Sequence, residues 1–438
     1  MRVFVDGYKS LRNVELELQP LTVIVGPNAA GKSNLFDALR LLSRIVTSRS
    51  LAEAFGDHRG DPLEAFDYSE RGIAGLLEKE EARFTIEVDV ELDGRTIKQA
   101  ERLIQMHRAT TGQGNHKGKP CKVTERFLRY RIEVAITPKT GVLRVLNERL
   151  ESLTRTADRQ VRPDEKRRPF LERIGERLRL RIEGRARPTE YDIGLNYSIV
   201  SQPIYPPYYP HLIAFREEVS QWRFYYFEPR LMREESPVKE AIQLPSSGGD
   251  LAAFYYTLKR KSPEQFENLQ RALRLIVPTV ERVDAELTEE GKVRLKVKER
   301  GVEFSAKVTS EGTLRILGLM AILSPSNPAT VIGFEEPENG VHPRRLKLIA
   351  DMLLHASKHR QIIVNTHSPL LPDYLSDEVY LVQCRKRDDG SSQFSPLEMA
   401  RGVFRAQEVK EALEESQEER ASQEVATIWQ RVLRGDWG

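Results

Sequence analysis

One short segment of this chain, residues 23–34, has the residue types and spacing needed to hold phosphate groups. It fits the pattern G-x-x-x-x-G-K-[ST], in which backbone N–H groups turn toward phosphate oxygens, the lysine reaches the β- and γ-phosphates and the serine hydroxyl binds Mg²⁺. The segment therefore predicts a site for a nucleoside triphosphate. The residues expected to contact the nucleotide are Gly26, Pro27, Asn28, Ala29, Ala30, Gly31, Lys32, Ser33 and Asn34.

The residues around this segment supply the structural context that the pattern needs. Residues 21–25 are an apolar run typical of a buried strand, and from Leu35 onward apolar residues recur at helical spacing. A strand, a glycine turn and a helix in this order bring the positive N-terminal end of the helix to the bound phosphate. A chance glycine turn is the alternative, and the full match in this context disfavours it.

A pair of acidic residues, Glu335 and Glu336, ends a second apolar run at residues 329–334. Carboxylates at a strand end could manage Mg²⁺ and the attacking water of a triphosphate site. Glu335 lies 303 residues after Lys32. Simple P-loop kinases and ring-forming ATPases place the two motifs much closer, so we expect a large segment to be inserted between two parts that fold together.

Two further features stand before and after the glutamates. Ser310 is a good N-cap for an apolar helix at residues 314–323, and with Gly312 it would form an anion site at the helix N-terminus, although an ordinary cap has the same residues. His367 follows an apolar strand run at residues 361–366. A lone histidine at a strand end is commonly structural. Its position in this order of motifs favours a functional role.

Four motifs in this order resemble those of ABC-type ATPases of the SMC and RecF group. They are similar above all to the stand-alone AAA family ATPases related to that group and to the ATPase half of OLD-family nucleases. The Walker A motif is residues 26–33, the signature 310–313, Walker B 331–336 and the switch histidine His367. The resemblance implies an α/β fold: a P-loop NTPase head of ABC type with a mixed central sheet, an antiparallel β extension and an inserted α/β region.

The same resemblance implies domain boundaries and partners. Residues 1–45 and 240–385 would form a bipartite ATPase head, residues 46–239 an insertion, and residues 386–438 a C-terminal strand and charged helical tail. Ser310 and Gly312 would face the nucleotide of a second copy, because in this group two ATPs lie between two heads. We therefore expect an ATP-dependent homodimer or a higher oligomer.

Residue roles also follow from the resemblance. Lys32 would bind phosphate, Ser33 and Glu335 would bind Mg²⁺, Glu336 would polarise the attacking water and His367 would contact the γ-phosphate. ATP and Mg²⁺ are thus the expected substrate and cofactor. The chain departs from the usual pattern by having a glutamate at position 335 in place of aspartate, and Glu311 and Thr313 in the signature. These departures leave the division of labour between the two glutamates open, and slow hydrolysis is compatible with them.

Composition sets outer limits on the kind of protein. A length of 438 residues with 39% hydrophobic and 30% charged residues is typical of a globular chain of two or three domains. A net charge of +3 excludes a global basic field, so any DNA-binding surface would be a local patch. Cys121 and Cys384 form neither a disulfide framework nor a zinc motif. We expect a cytoplasmic protein that does not span a membrane, because no apolar run reaches the required length.

The inserted region offers strands and a basic surface. Residues 83–90, 130–136 and 141–146 alternate as antiparallel strands, and residues 107–126 form a glycine-rich basic loop. Residues 149–187 hold 13 basic against 7 acidic residues, which fits either a phosphate-binding track or a solvated face with ion pairs. Residues 201–210, rich in proline and tyrosine, are expected to be extended, as a connector or a partner-binding loop.

Two functions remain open from the sequence. The first is a dimerising ATPase of DNA maintenance or anti-phage defence, with DNA and a separately encoded nuclease or toxin as candidate partners. The second is a regulatory ATP-binding module that restrains or activates such an effector, with hydrolysis incidental. The chain after His367 is too short for the nuclease domain of OLD proteins, and residues 388–390 are expected to be a hairpin turn.

Overall fold

The chain contains both strands and helices. The computed structural model describes residues 1–68, 71–110, 122–155, 161–183, 187–204, 206–368, 370–375 and 379–397. The strands are β1 (Arg2–Asp6), β2 (Val14–Glu17), β3 (Leu21–Val25), β4 (Ala82–Glu91), β5 (Phe127–Thr137), β6 (Val142–Arg155), β7 (Val161–Pro163), β8 (Leu171–Ile174), β9 (Arg177–Leu180), β10 (Thr189–Asp192), β11 (Arg223–Tyr225), β12 (Ser236–Pro237), β13 (Val280–Leu287), β14 (Lys292–Glu299), β15 (Val302–Ser305), β16 (Val331–Glu335), β17 (Gln361–Thr366), β18 (Tyr380–Lys386) and β19 (Ser392–Pro396). The helices are α1 (Lys32–Ile45), α2 (Leu51–Phe55), α3 (Gly72–Glu78), α4 (Gly94–Thr110), α5 (Pro210–Ser220), α6 (Pro229–Met232), α7 (Leu251–Lys261), α8 (Pro263–Ile276), α9 (Glu311–Leu323) and α10 (Leu346–Ser357).

The chain divides into two units, and the first is built on an antiparallel sheet. It comprises Met1–Gln19, Gly31–Trp222 and Arg385–Phe394. The described strands of its sheet run in the order β10-β9-β8-β6-β5-β4-β1-β2, with β7 paired to β6. Alternate residues of β5 are buried, as expected for strands with one face on a core. The predicted antiparallel strands are confirmed as β4, β5 and β6.

The second unit contains most of a six-stranded sheet among the described residues. It comprises Pro20–Ala30, Arg223–Cys384 and the chain from Ser395. Its strand order is β11-β16-β17-β3-β18-β19, with parallel pairing from β11 to β18. β3 is buried along its whole length, as the apolar run predicts for a central parallel strand. The turn at residues 388–390 precedes β19, with the Gly390 N–H bonded to the Arg387 carbonyl, and confirms the predicted hairpin turn.

A second, antiparallel sheet in this unit joins β12, β14 and β13, with β15 paired to β14. Helices α7, α9 and α10 share one apolar core with the six-stranded sheet, in which Val23, Phe334 and Val364 are nearly inaccessible. Burial of this apolar surface is the main favourable contribution to the stability of the unit. This packed core thereby supports the carboxyl ends of β3, β16 and β17.

One expectation from the sequence has a different outcome, and others are not tested. The proline and tyrosine stretch at 201–210 is not simply extended, since 3₁₀ turns form at Ile199–Ser201 and Pro206–Tyr208 and α5 begins at Pro210. Proline at the first helical position explains that start. The basic loop lies partly outside the described residues, and Cys121 and the tail beyond residue 397 lie wholly outside them. The predicted domain boundaries stay a prediction.

No helix in the described part of the chain is long and apolar enough to cross a membrane.

Candidate nucleotide site

The phosphate-binding pattern forms a loop between a buried strand and a helix. β3 ends at Val25 and α1 begins at Lys32, and both Ala29 and Gly31 have left-handed backbone conformations, with φ of 63° and 106°. A run of such residues turns successive N–H groups to one side, which suits an anion. A Cβ on Gly26 would lie 2.2 Å from the Cys384 carbonyl oxygen, so the close approach of β18 requires glycine there.

The side chains of this motif differ in exposure. Lys32 is only 7% exposed, and Ser33 and Asn34 are partly exposed in the first turn of α1. The Asn34 side-chain amide donates to the Ser10 hydroxyl at 2.7 Å. The helix therefore starts with its motif residues held in place.

The carboxyl ends of three neighbouring parallel strands lie along one sheet edge. Glu335 on β16 is in register with Asn365 on β17, which is in register with Ile24 on β3. The residues that follow these strands therefore share this edge. The structure thus brings the predicted Glu335, Glu336 and His367 together beside the start of the phosphate loop at Gly26.

Glu336 is held directly by the predicted switch histidine. The His367 Nδ1–H donates to Glu336 Oε1 at 2.7 Å, and the Glu336 backbone N–H donates to the Asn365 carbonyl at 2.8 Å. Glu336 has a φ of 52°, which is unfavourable for a residue with a side chain and is characteristic of functional sites. The carboxylate is therefore oriented from both its backbone and its side chain.

Residues 336–341, which we call the glutamate loop, are tied to the end of β17 by a carboxyl group that the sequence interpretation missed. Glu338 is 8% exposed, and the Thr366 hydroxyl donates to its Oε1. Its Oε2 has no partner among the described residues, and burial raises the pKa of this carboxyl. Nothing in the sequence separates Glu338 from an exposed loop glutamate, since its burial is a tertiary property.

Asn365 is a second residue that was missed. It is 2% exposed, and neither its Oδ1 nor its Nδ2 has a hydrogen-bond partner within the described ranges. Because paired residues of parallel strands point to the same face, its amide lies on the face of the Glu335 side chain. Buried polar groups are nearly always paired, so this amide fits a polar ligand such as hydrated Mg²⁺. A polar residue inside the apolar run 361–366 was the available signal.

The signature residues begin α9 beside the glutamate loop. Ser310 caps the helix as predicted, because its Oγ accepts the Thr313 N–H at 3.2 Å. A Cβ on Gly312 would lie 2.4 Å from the Gly340 carbonyl oxygen. The predicted signature is therefore packed directly against the loop that carries Glu336.

The basic segment of the first unit is an ion-paired surface in its described part. Arg177 and Arg179 both pair with Glu190, at 3.2 Å and 2.9 Å, and Arg167 pairs with Glu125 at 3.0 Å. Such pairs satisfy the arginines at the protein surface. The arrangement favours the solvated ion-paired face over a phosphate-binding track.

No group of three or more His, Cys, Asp or Glu side chains suited to a metal ion occurs in the part of the chain that the structure describes. Glu335 and Asn365, paired on neighbouring strands, instead offer carboxylate and amide oxygens. These are the ligand types that Mg²⁺ takes together with water and substrate phosphates. The residues present therefore fit the predicted cofactor.

Comparisons with known proteins agree with this geometry. Residues 21–99 and 129–373 match the family model described as "AAA domain, putative AbiEii toxin, Type IV TA system". No curated protein matches the chain.

The chain is similar in structure to the SMC head bound to the C-winged helix domain of ScpA, with 14% identity, a TM-score of 0.53 and coverage of 91% of this chain and 98% of that one. It is also similar to the Smc head of Pyrococcus furiosus with an extended coiled coil, bound to the C-terminal domain of ScpA, with 13% identity, a TM-score of 0.49 and coverage of 94% and 98%. At such identity the first likeness shows the fold alone. It confirms the predicted ABC-type head.

Proposed function

This chain belongs to that AAA-domain family, and from this premise we propose that it binds ATP with Mg²⁺ and hydrolyses it between two engaged copies. It is an SMC/RecF-like ABC-type ATPase in fold. The observation that carries hydrolysis is the orientation of Glu336 by His367 at 2.7 Å, at the sheet edge where the phosphate loop begins. A carboxylate positioned in this way is suited to orient and deprotonate a water molecule.

Each predicted residue has a role in this proposal. Lys32 and the N–H groups of residues 26–31 would bind the phosphates, and Ser33 with Glu335 would hold Mg²⁺, which supplies positive charge to the phosphate oxygens. His367 keeps the Glu336 carboxylate in place. Its side chain is 46% exposed, so a ligand could reach it.

The position of the signature supports dimerisation. Ser310 and Gly312 lie at the N-terminus of α9, where unsatisfied N–H groups and the helix dipole favour an anion. In the SMC and RecF group that the chain resembles, that anion belongs to the nucleotide of a second copy. We therefore propose a homodimer that closes around two ATPs and reopens after hydrolysis.

The test compares three variants by phosphate release, binding of a fluorescent ATP analogue, and mass in solution with and without ATP. We expect K32A to lose nucleotide binding. We expect E336Q to keep binding, to lose about 10²- to 10⁴-fold in turnover and to accumulate as an ATP-bound dimer. The matched control E267Q changes an exposed glutamate of α8 and should behave as the wild type. Unchanged turnover in K32A and E336Q would refute the assignment.

The biological setting is also a proposal. We propose a role in DNA maintenance or anti-phage defence, together with a separately encoded nuclease or toxin. Support comes from the family description, which names a toxin and a type IV toxin–antitoxin system.

The same description favours a second candidate function. In this second function, ATP-bound heads restrain or activate a partner effector, and ATP hydrolysis is incidental. Copurification with the product of a neighbouring toxin-like gene, undiminished in E336Q, would favour this candidate. ATP turnover stimulated by double-stranded DNA would favour the first candidate, the role in DNA maintenance or defence. Reversing the charges of Arg167, Arg168 and Arg179 tests whether the basic surface contributes to this stimulation.

A further inference from the structure

Arg315 is a buried cation without a counterion among the residues that the structure describes. It lies in the second turn of α9 with 9% exposure, and across the described ranges its guanidinium has neither a hydrogen-bond acceptor nor a carboxylate within 4.0 Å. The neighbouring Arg233 shows the usual arrangement, donating to the Thr309 carbonyl and pairing with Glu311 at 3.7 Å. Burial lowers the pKa of Arg315, as expected when a charge loses water without gaining a partner. Such a charge requires compensation by an anion.

The Arg315 side chain points toward the start of its helix. Side chains of α-helices lean toward the N-terminus. A Cβ on Gly340 would lie 3.6 Å from Arg315 Cδ, 3.7 Å from its Nε and 3.9 Å from Glu311 Cβ. The stem of the arginine therefore runs back along the first turn of α9, between that turn and the glutamate loop. At this end of the helix free N–H groups favour an anion.

The described acidic groups that act on Arg315 already have other partners. The charges of Glu311 and Glu336 act on Arg315 without a direct contact. Glu311 pairs with Arg233, and Glu336 accepts hydrogen bonds from His367 and Asn339. The described carboxylates therefore leave Arg315 open to a bound anion.

We infer that Arg315 binds a phosphate oxygen, and that in the engaged dimer this oxygen belongs to the terminal phosphate of the ATP held by the phosphate loop of the second copy. The inference rests on the proposed function and adds a residue to it. Arg315 of one copy would act on the nucleotide bound by Lys32 of the other. A guanidinium offers planar, paired donors to phosphate and stabilises the charge that develops during phosphoryl transfer.

The decisive experiment mixes two inactive variants. R315Q keeps the nucleotide site of its own chain, and K32A keeps Arg315 but binds no nucleotide. In an R315Q–K32A heterodimer one composite site has both Lys32 and Arg315, contributed by different copies. An equimolar mixture should therefore recover up to about half of wild-type turnover, because neither variant closes a dimer on its own and each mixed dimer has one of two sites intact.

Each variant is first measured alone. We expect R315Q to bind the fluorescent ATP analogue within about twofold of wild type and to lose about 10²-fold in turnover, as expected when one charged donor to the transition state is removed. R315K should retain an intermediate rate, because it keeps the charge without the paired donors. R271A, which removes an exposed arginine of α8, is the matched control and should match wild type.

The outcomes separate the two hypotheses. Absence of hydrolysis in the wild type refutes the proposed function itself. With an active wild type, normal turnover in R315Q overturns the role of Arg315, and an inactive mixture overturns its action across the dimer. If R315Q fails to fold, as judged by its melting transition, R315M replaces it in the same mixture. Dimer mass gives a second measurement: ATP should dimerise E336Q but not E336Q/R315Q.

Discussion

Replacement of Gly312 by alanine tests whether the signature helix and the glutamate loop move together. The new Cβ would lie 2.4 Å from the Gly340 carbonyl oxygen, whereas such contacts are essentially never shorter than 3.0 Å. The loop or the helix must therefore shift by at least 0.6 Å. Because residues 313–322 of α9 are buried whereas Asn339 and Gly340 are exposed, we expect the loop to yield.

The expected change in stability is small because two effects oppose each other. Alanine is favoured over glycine within a helix by about 1 kcal/mol. Overpacking against a neighbouring backbone typically costs about 1–3 kcal/mol. The free energy of unfolding should therefore fall by about 0–2 kcal/mol in G312A.

The expected change in activity is larger than the change in stability. Glu336 begins the glutamate loop, and a misplacement of a reacting group by about 1 Å can cost about 10²-fold in rate. A shift of at least 0.6 Å should therefore reduce ATP turnover by about tenfold or more, with binding of the fluorescent ATP analogue retained.

The assay measures phosphate release and thermal unfolding for G312A and for a matched control. G94A places the same methyl group in α4, at a glycine with no atom within 4 Å of the new Cβ. This control should leave turnover unchanged and stability unchanged or slightly raised. Wild-type turnover in G312A would refute coupling between helix and loop, and a loss of turnover that only parallels unfolding would refute it as well.

Two further predictions concern buried polar groups. N365V removes two unpartnered polar atoms, so it should raise the free energy of unfolding by about 1–3 kcal/mol. The same substitution should lower ATP turnover, because it removes the amide beside Glu335. Urea denaturation and phosphate release measure the two effects, and unchanged turnover would exclude Asn365 from the site. Burial raises the pKa of the Glu148 carboxyl above its ordinary value of about 4.3, so its native form binds a proton more readily than its unfolded form. The free energy of unfolding of the wild type, relative to that of E148Q, should therefore fall as pH rises from about 4.3 through the raised pKa. Urea titrations of both proteins at several pH values measure this difference. If the free energies of the two proteins vary with pH in parallel, the predicted sign is wrong.

Strand positions at the candidate site were predictable because they depend on local patterns. The apolar runs 21–25 and 361–366 are the strands β3 and β17, and the run before Glu335 is β16. Continuous apolar runs of this length are typical of parallel strands buried on both faces. The glycine pattern further specified the loop after β3, since its backbone requires left-handed residues.

The residues that sequence reasoning missed have roles that depend on burial and on absent partners. Arg315, Glu338 and Asn365 are ordinary polar residues in the sequence, and each belongs to a helix, loop or strand that was predicted or expected. Their significance appears only when neighbouring elements exclude water from them. Burial without compensation is a property of tertiary packing, and the sequence gives a signal for it only at Asn365, a polar residue inside an apolar run.

The distance of 303 residues between Lys32 and Glu335 follows from the strand order. β3 lies between β17 and β18, so both neighbours of the strand that precedes the phosphate loop come from the last part of the described chain. The parallel sheet of the second unit can therefore form only after residues 361–386 are available to pair with residues 21–25. Pairing at such sequence separation carries a large loop-closure cost, which makes it slow and late in folding. Removal of β17 or β18 should consequently prevent formation of the phosphate loop, although residues 26–33 themselves are unchanged.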